Sequence, residues 1–203
     1  MVRRTKEDAL ATREGILDAA EGLFVEQGVS RTTLQHIASA AGLTRGAIYW
    51  HFDDKAALFN AMMERAKMPI DSAIELLDPA HADDPAAKLR EIMLCVFRLT
   101  QHDPKARRVF EIALLKLEYV DEMSAVRERR AEGQARWLAM ARACIEAGVR
   151  AGHFKTRVAP QVLALGTWAI LDGLVRAWLI EPAAFDLVEA GGQVVDSYLD
   201  SMR

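Results

Sequence analysis

Residues 33–52 read TLQHIASAAGLTRGAIYWHF, which contains two short helical patterns separated by Gly42. Thr33 precedes the first pattern and Thr44 precedes the second, so each threonine is predicted to cap the start of a helix. Gly42 ends the first helix, and Leu43 supplies an apolar anchor in the turn. Two capped helices joined by a glycine-containing turn predict a helix-turn-helix, a motif whose second helix enters the major groove of DNA.

The second of these helices is predicted over residues 45–51, and its spacing separates an inner face from an outer face. Ile48 and Phe52 lie one turn apart and are expected to pack inward. Arg45 on the outer face is suited to guanine, and Gly46 lets the backbone approach the bases. The predicted DNA-binding residues are Thr33, Thr44, Arg45, Gly46, Tyr49, Trp50, His51 and Lys55. In the alternative interpretation this is a tight helical corner, with core or interface aromatics and a solvated arginine.

Composition limits the class of protein. The 203 residues are 51% hydrophobic, enough to bury a sizeable core, and their formal net charge of -3 argues against binding DNA through bulk charge. The N-terminus lacks the apolar run of a signal peptide, so a cytoplasmic protein is expected. Asp172 and Arg176 interrupt the apolar stretch 162–180. This stretch is therefore interpreted as a buried helix and not as a membrane span, and no membrane is expected as a partner. Cys95 and Cys144 are expected to be small buried hydrophobic residues.

Apolar residues recur at helical spacing along nearly the whole chain, and alternating runs of β-branched residues are absent. The predicted fold class is all-α, with about nine helices. Helices are expected from Lys6 to Gly28, in the helix-turn-helix, and near 55–67, 86–101, 105–117, 121–151, 160–180 and 184–202. We predict a three-helix DNA-binding domain over residues 1–54 and a helical ligand-binding and dimerisation domain over 55–203. The helix near 55–67 is predicted to link them.

A signature within residues 33–59 resembles the DNA-binding domain of the TetR family of transcriptional repressors, with matches at 33–38, 41–52, Lys55, Leu58 and Phe59. Other segments are similar to the repressors of bacterial multidrug efflux pumps, namely 3–6, 44–52 and 111–123. The resemblance implies a helical homodimer with a ligand cavity in its C-terminal domain. It also implies operator contacts from the positions that match Thr44, Arg45, Tyr49, His51 and Lys55.

The expected function is a ligand-responsive, DNA-binding repressor that controls a multidrug efflux operon and is released from its operator by a hydrophobic small molecule. Its expected partners are double-stranded operator DNA with an inverted repeat, this inducer, and a second copy of the chain. The alternatives are a regulator of a catabolic or metabolic operon, a ligand-insensitive DNA-binding protein and a small helical enzyme. Because the sequence contains no phosphate-binding loop, zinc-binding His pair or nucleophile elbow, no catalytic residue, cofactor or metal is expected.

The helix near 160–180 is apolar nearly all round, which is not typical of a surface helix. It is therefore expected to be covered on one side by its own core and on the other by a partner chain, with the last helix sharing the interface. The predicted dimer contacts are Val175, Trp178, Leu179, Val195 and Leu199.

Asp172 lies in the middle of this apolar helix, where a carboxylate needs a partner. Either it pairs with Arg176 one turn later, or it is the polar group of an apolar pocket. Glu111 and Gln134 allow the same two interpretations. The other predicted pocket residues are chosen from expected burial, and most of them have core packing as their alternative; they are Lys67, Ile70, Ile74, Ile92, Val96, Phe110, Leu114, Trp137, Ala141, Trp168 and Leu171.

Overall fold

A computed structural model describes residues 6–76 and 84–203, with side chains described for 6–65 and 84–203. The regular structure of these residues is helical throughout, which confirms the predicted all-α fold. The α-helices are α1 Lys6–Gln27, α2 Leu34–Ala40, α3 Arg45–Ile48, α4 Lys55–Leu76, α5 Pro85–His102, α6 Pro104–Glu111, α7 Ser124–Arg150, α8 Pro160–Ile180 and α9 Leu187–Asp200. A π-helix, Ile112–Lys116, and a 3-10 helix, Asp121–Met123, lie between α6 and α7.

The predicted helix caps are present in the first third of the chain. The Thr33 hydroxyl oxygen accepts a hydrogen bond from the N–H of His36 at 3.2 Å, and Thr44 accepts one from the N–H of Ala47 at 3.2 Å. The Asp54 carboxylate caps α4 in the same way. These bonds satisfy N–H groups that have no partner inside the helix, so each short helix has a defined start.

Two glycines end the first two helices, as predicted. Gly28 follows α1 with φ 82°, and Gly42 follows α2 with φ 69°, a conformation that strains other residues. After Gly42 the N–H of Leu43 donates to the carbonyl of Ala38 at 2.8 Å. This bond closes the turn that aims α3 away from α2.

Several helix boundaries differ from the prediction. The helix predicted near 55–67 continues to Leu76, and the helix predicted over 45–51 ends at Ile48. The helix predicted over 105–117 leaves the α conformation at Glu111 and continues as the π-helix, and the helix predicted from 121 starts as a 3-10 turn. At the end of the π-helix the carbonyl of Lys116 accepts a hydrogen bond from the N–H of Val29, which is distant in sequence, at 3.2 Å. The last helix begins at Leu187 rather than 184 because Asp186 caps it.

The chain divides into two compact units that are not continuous in sequence. The first unit comprises residues up to Ala66 together with Arg108–Arg129, and the second comprises Lys67–Arg107 and Arg130–Arg203. The predicted boundary at residue 54 placed the whole of α4 in the second domain. The start of α4 belongs to the first unit because its apolar side chains are buried there.

The core of the first unit is built around α1 and α4. Phe24 and Phe59 are fully buried and their ring centroids lie 6.1 Å apart. Ile112, Met123 and Val126 join the same cluster from the segment between α6 and α7 and the start of α7. This segment therefore completes the core that supports the helix-turn-helix.

An ion-pair network also joins α1 to α4 in the first unit. The Arg65 guanidinium lies 3.1 Å from Glu14, 2.7 Å from Asp18 and 3.0 Å from Glu21. Glu21 is only 5% exposed, so its charge requires a partner. The network holds α4 against α1 near Ala66, the last residue of the N-terminal segment of the first unit.

In the second unit α5 packs closely against α9. Gly191 of α9 lies under the ring of Phe97, which is fully buried. Arg90 of α5 forms an ion pair with Asp196 of α9. On the other side of α9, the Tyr198 hydroxyl donates to the carbonyl of Leu163 in α8 at 2.8 Å.

The close contact at Gly191 gives a stability prediction. A methyl group at Gly191 would overlap the buried ring of Phe97, so Gly191→Ala is expected to lower the free energy of unfolding by about 1 to 3 kcal/mol. Gly192 is a matched control, because a methyl group there meets Leu94 at an ordinary 3.5 Å. Gly192→Ala is expected to raise stability by about 0.5 to 1 kcal/mol through a less flexible unfolded chain. Chemical denaturation measures both, and similar losses in the two variants would contradict the packing described here.

Candidate functional site

The segment from α3 to Phe52 presents one buried face and one exposed face. Ile48 and Phe52 are buried in the core of the first unit, as predicted. Arg45 and Gly46 are exposed at the start of α3, and Trp50 is 89% exposed. Because a tryptophan in this position adds almost nothing to the core of a single chain, the outer face is available to bind a partner.

The polar residues around α3 are accessible as well. Thr33 and Thr44 are exposed, and each hydroxyl oxygen already accepts a backbone hydrogen bond. The hydroxyl proton remains free to be donated, so capping a helix and contacting a phosphate are compatible in one residue. Tyr49 is exposed and His51 is half-buried, and both follow the last residue of α3.

The environment of Lys55 differs from the one predicted, in which its side chain contacts a phosphate. The residue is only 8% exposed, and its ammonium donates to the carbonyls of Val29 at 3.0 Å and Thr32 at 3.1 Å. It also forms an ion pair with Glu122 at 2.7 Å. An ammonium has three protons, and here all three have acceptors within the first unit. The prediction is therefore corrected: this side chain ties segments of the protein together and is not presented to DNA.

Sequence reasoning overlooked Glu122 because it lies 67 residues after Lys55 in the chain, outside the helix-turn-helix. A carboxylate in an acidic loop is ordinarily solvated, and nothing in its spacing points to a buried lysine. Only the packing of residues 108–129 against the N-terminal part of the same unit brings the two charges together.

Comparison with known protein families agrees with this geometry. Residues 16–62 match the family described as bacterial regulatory proteins of the tetR family, and residues 84–203 match the C-terminal region of MAATS-type transcriptional repressors. The second match alone covers more than half of the chain. The chain belongs to the TetR family of bacterial regulatory proteins.

Several characterised TetR-family proteins are similar over nearly their whole length. The transcriptional regulator TtgR of Pseudomonas putida is 38% identical across 100% of this chain and 97% of its own length. The crystal structure of NalD, the secondary repressor of the MexAB-OprM multidrug efflux pump of Pseudomonas aeruginosa, matches with a TM-score of 0.89 and 31% identity, covering 97% of this chain and 98% of NalD. SmeT, the repressor of the Stenotrophomonas maltophilia efflux pump SmeDEF, has been solved with triclosan; it matches with a TM-score of 0.83 and 32% identity, covering 94% of this chain and 91% of SmeT.

The residues predicted to bind a ligand are distributed over both units of this TetR-family chain. Ile92, Trp137, Ala141 and Leu171 are buried in the second unit, and the half-buried residues there are Val96, Gln134, Trp168 and Asp172. Phe110, Glu111 and Leu114 are half-buried in the first unit. Lys67, Ile70 and Ile74 lie outside the residues whose side chains the structure describes.

Part of this predicted set is brought together between α7 and α8. The rings of Trp137 and Trp168 lie 6.5 Å apart at an interplanar angle of 56°. The indole N–H of Trp137 donates to the Thr167 hydroxyl at 3.0 Å, and that hydroxyl donates to the carbonyl of Ala164 at 2.7 Å. The polar atom of the buried tryptophan is therefore satisfied inside the protein, which fixes the orientation of its ring.

Asp172 lies one turn beyond Trp168 and is bound by two arginines. Arg130 of α7 donates to its carboxylate at 2.8 Å, and Arg176 of α8 lies 3.7 Å away. The pairing with Arg176 was one of the two interpretations from sequence, whereas Arg130 had no sequence signal. The carboxylate is neutralised within the second unit, so a ligand that bound it directly would displace an arginine.

The five predicted dimer contacts are not on the surface of the chain. Their exposed fractions are at most 8%, for Val175, Trp178, Leu179, Val195 and Leu199. The Arg107 guanidinium stacks over the Trp178 ring, with its central carbon 4.8 Å from the ring centroid. Residues that their own chain already buries contribute little area to an association, so the structure does not present these five side chains to a partner.

A different face of α8 and α9 is apolar and exposed. Its exposed large side chains are Val162, Leu165, Ile180 and Val194. A groove of about 590 Å³ lies on this face, lined by Ile170, Ala190, Gln193, Val194, Ser197, Tyr198 and Ser201. None of the predicted ligand-binding residues lines it. By length and composition alone α8 would also pass as a membrane span, but one of its faces is buried within the second unit.

Proposed function

We propose that the chain is a cytoplasmic, ligand-responsive repressor that binds the operator of a multidrug efflux operon as a homodimer. The exposed outer face of α3, set against the fully buried Ile48 on its inner face, is the observation that carries the DNA-binding part. The efflux part is supported by NalD and SmeT, which are repressors of multidrug efflux pumps and are similar over about nine-tenths or more of each chain.

In this proposal the outer face of α3 reads the bases and the helix caps bind the backbone. Arg45 donates two hydrogen bonds to the O6 and N7 atoms of a guanine, and the absence of a side chain at Gly46 allows the close approach. Trp50 supplies apolar contact to a thymine methyl group or a sugar. Thr33 and Thr44 donate their hydroxyl protons to phosphates, which fixes the position of α3 without reading sequence.

The proposed dimer uses the exposed apolar face of α8 and α9. Isolated apolar residues are common on protein surfaces, but Val162, Leu165, Ile180 and Val194 all lie on two neighbouring helices. A two-fold axis through this face places two copies of α3 symmetrically, which matches an inverted repeat in DNA.

The proposed ligand is apolar and aromatic, and the region around Trp137 and Trp168 is the part of the second unit best suited to bind it. Two tilted indole rings favour a planar partner packed by its face or edge. The nearby Arg130 and Asp172 offer hydrogen-bonding groups at the margin of this region. The complex of SmeT with triclosan supports a small chlorinated aromatic compound as a first probe.

Base reading by Arg45 is tested with a duplex that the wild-type protein selects from random sequences. Arg45→Ala is expected to weaken binding to that duplex by about 1 to 3 kcal/mol and to relax specificity at one or two base pairs. Arg136→Ala, which removes an exposed arginine from the second unit, is the control and is expected to change neither. An Arg45→Ala variant that keeps its full sequence preference would show that Arg45 does not read bases.

Dimerisation is tested with two valines of equal exposure. Val194 and Val149 are each 41% exposed on a helix of the second unit, but only Val194 lies on the proposed interface. Val194→Glu is expected to produce monomers with little operator affinity, because a carboxylate would be buried unpaired in the dimer. Val149→Glu is expected to remain dimeric. Light scattering at micromolar concentration measures both masses, and the opposite result would place the interface elsewhere.

Ligand response is tested by calorimetry with triclosan in the presence and absence of the selected duplex. Reciprocity requires operator DNA to weaken triclosan binding by the same factor by which triclosan weakens operator binding. Trp168→Leu is expected to weaken triclosan binding about three- to tenfold through the lost aromatic contact, while Trp50→Leu is expected to leave it unchanged. Equal triclosan affinity with and without the duplex would eliminate the response to this compound.

A further inference from the structure

The ammonium of Lys55 is the meeting point of three segments of the first unit. Lys55 is the first residue of α4, and its two carbonyl partners belong to the loop between α1 and α2. Its third partner, Glu122, lies in the 3-10 helix that precedes α7. A nearly buried charge is thus satisfied only when all three segments are in place.

The loop between α1 and α2 has a second attachment to the same region. The N–H of Val29 donates to the carbonyl of Lys116, the last residue of the π-helix, at 3.2 Å. Val29 and Met123 are both fully buried and belong to one core cluster. The loop that leads into the helix-turn-helix is therefore held directly by Lys116 and, through Lys55, by Glu122.

We propose that Glu122 is a positioning residue for operator recognition, and this inference rests on the proposed function. Its carboxylate holds the Lys55 ammonium in place, and Lys55 in turn fixes the carbonyls of Val29 and Thr32. Thr32 is followed directly by Thr33, the cap of α2, so the two carbonyls set the direction in which α2 begins. The orientation of α2 in turn sets that of α3, because the hydrogen bond from Leu43 to Ala38 fixes the turn between the two helices.

The charges explain why a carboxylate is required at Glu122. Without it the ammonium would lie in a nearly buried site with only two neutral acceptors. A flexible four-carbon side chain relieves this by turning toward water, which breaks the bonds to Val29 and Thr32. The loop would then lose both bonds to α4 and keep the hydrogen bond to Lys116 and the burial of Val29. Glu122 itself is half exposed, so its replacement removes a charge without opening a cavity in the core.

The test compares Glu122→Gln with Glu118→Gln, which removes an equal charge from an exposed position four residues earlier. Binding is measured to the duplex selected by the wild-type protein and to an unrelated duplex of equal length. Glu122→Gln is expected to bind the selected duplex about tenfold more weakly and the unrelated duplex with unchanged affinity. Glu118→Gln is expected to match the wild type on both.

A double-mutant cycle tests whether Glu122 acts through Lys55. In a Lys55→Met background the further change Glu122→Gln is expected to have no effect on binding to the selected duplex. Hydrogen exchange adds a readout that does not depend on DNA. The N–H of His36, bonded to the Thr33 cap, is expected to exchange faster in Glu122→Gln than in Glu118→Gln.

Equal operator affinities in Glu122→Gln and Glu118→Gln would overturn the inference while leaving the proposed function intact. Parallel losses on both duplexes would also overturn it, because they indicate a general loss of folded protein. A wild-type protein that selects no sequence from the random pool would overturn the proposed function, and the inference with it.

Discussion

A helix of four residues cannot sustain itself in water, so the position of α3 depends on the burial of Ile48 and Phe52 beneath it. These two side chains pack on a core that α1 and α4 build around Phe24 and Phe59. Every group on the outer face of α3 takes its place from that contact. Arg45 and Trp50 are exposed and contribute little to the core beneath them.

The core that supports α3 is assembled from two separate stretches of sequence. Residues 108–129 supply Ile112, Met123 and Val126 to the cluster, so the DNA-binding unit is complete only when the chain has returned from the second unit. Three helices, α4, α6 and α7, consequently cross a unit boundary. The two units are therefore connected by three helices, whereas the sequence predicted that α4 alone links them.

The sequence predicts those parts of the molecule that depend on neighbours in the chain. The caps at Thr33 and Thr44, the turn at Gly42 and the inner face of α3 all follow from local spacing. The buried and exposed faces of α8 could not be assigned from the sequence. The helix is apolar nearly all round, so periodicity does not show which face packs against its own core. Val175 and Trp178 were assigned to a partner chain and are buried within their own. The role of Lys55 was missed for a related reason, since its partner Glu122 is distant in sequence.

Two of the cations of α4, Lys55 and Arg65, limit how this helix can move. Lys55 at its start is bound to the loop before α2 and to Glu122, and Arg65 ten residues later is bound to Glu14, Asp18 and Glu21 of α1. Between them the side chains of Phe59 and Met62 are buried in the same core. A displacement of α4 alone would break both sets of ion pairs and expose apolar surface, which costs far more than moving the unit as one body. A force applied to α4 is therefore expected to move α1, α2 and α3 together with it.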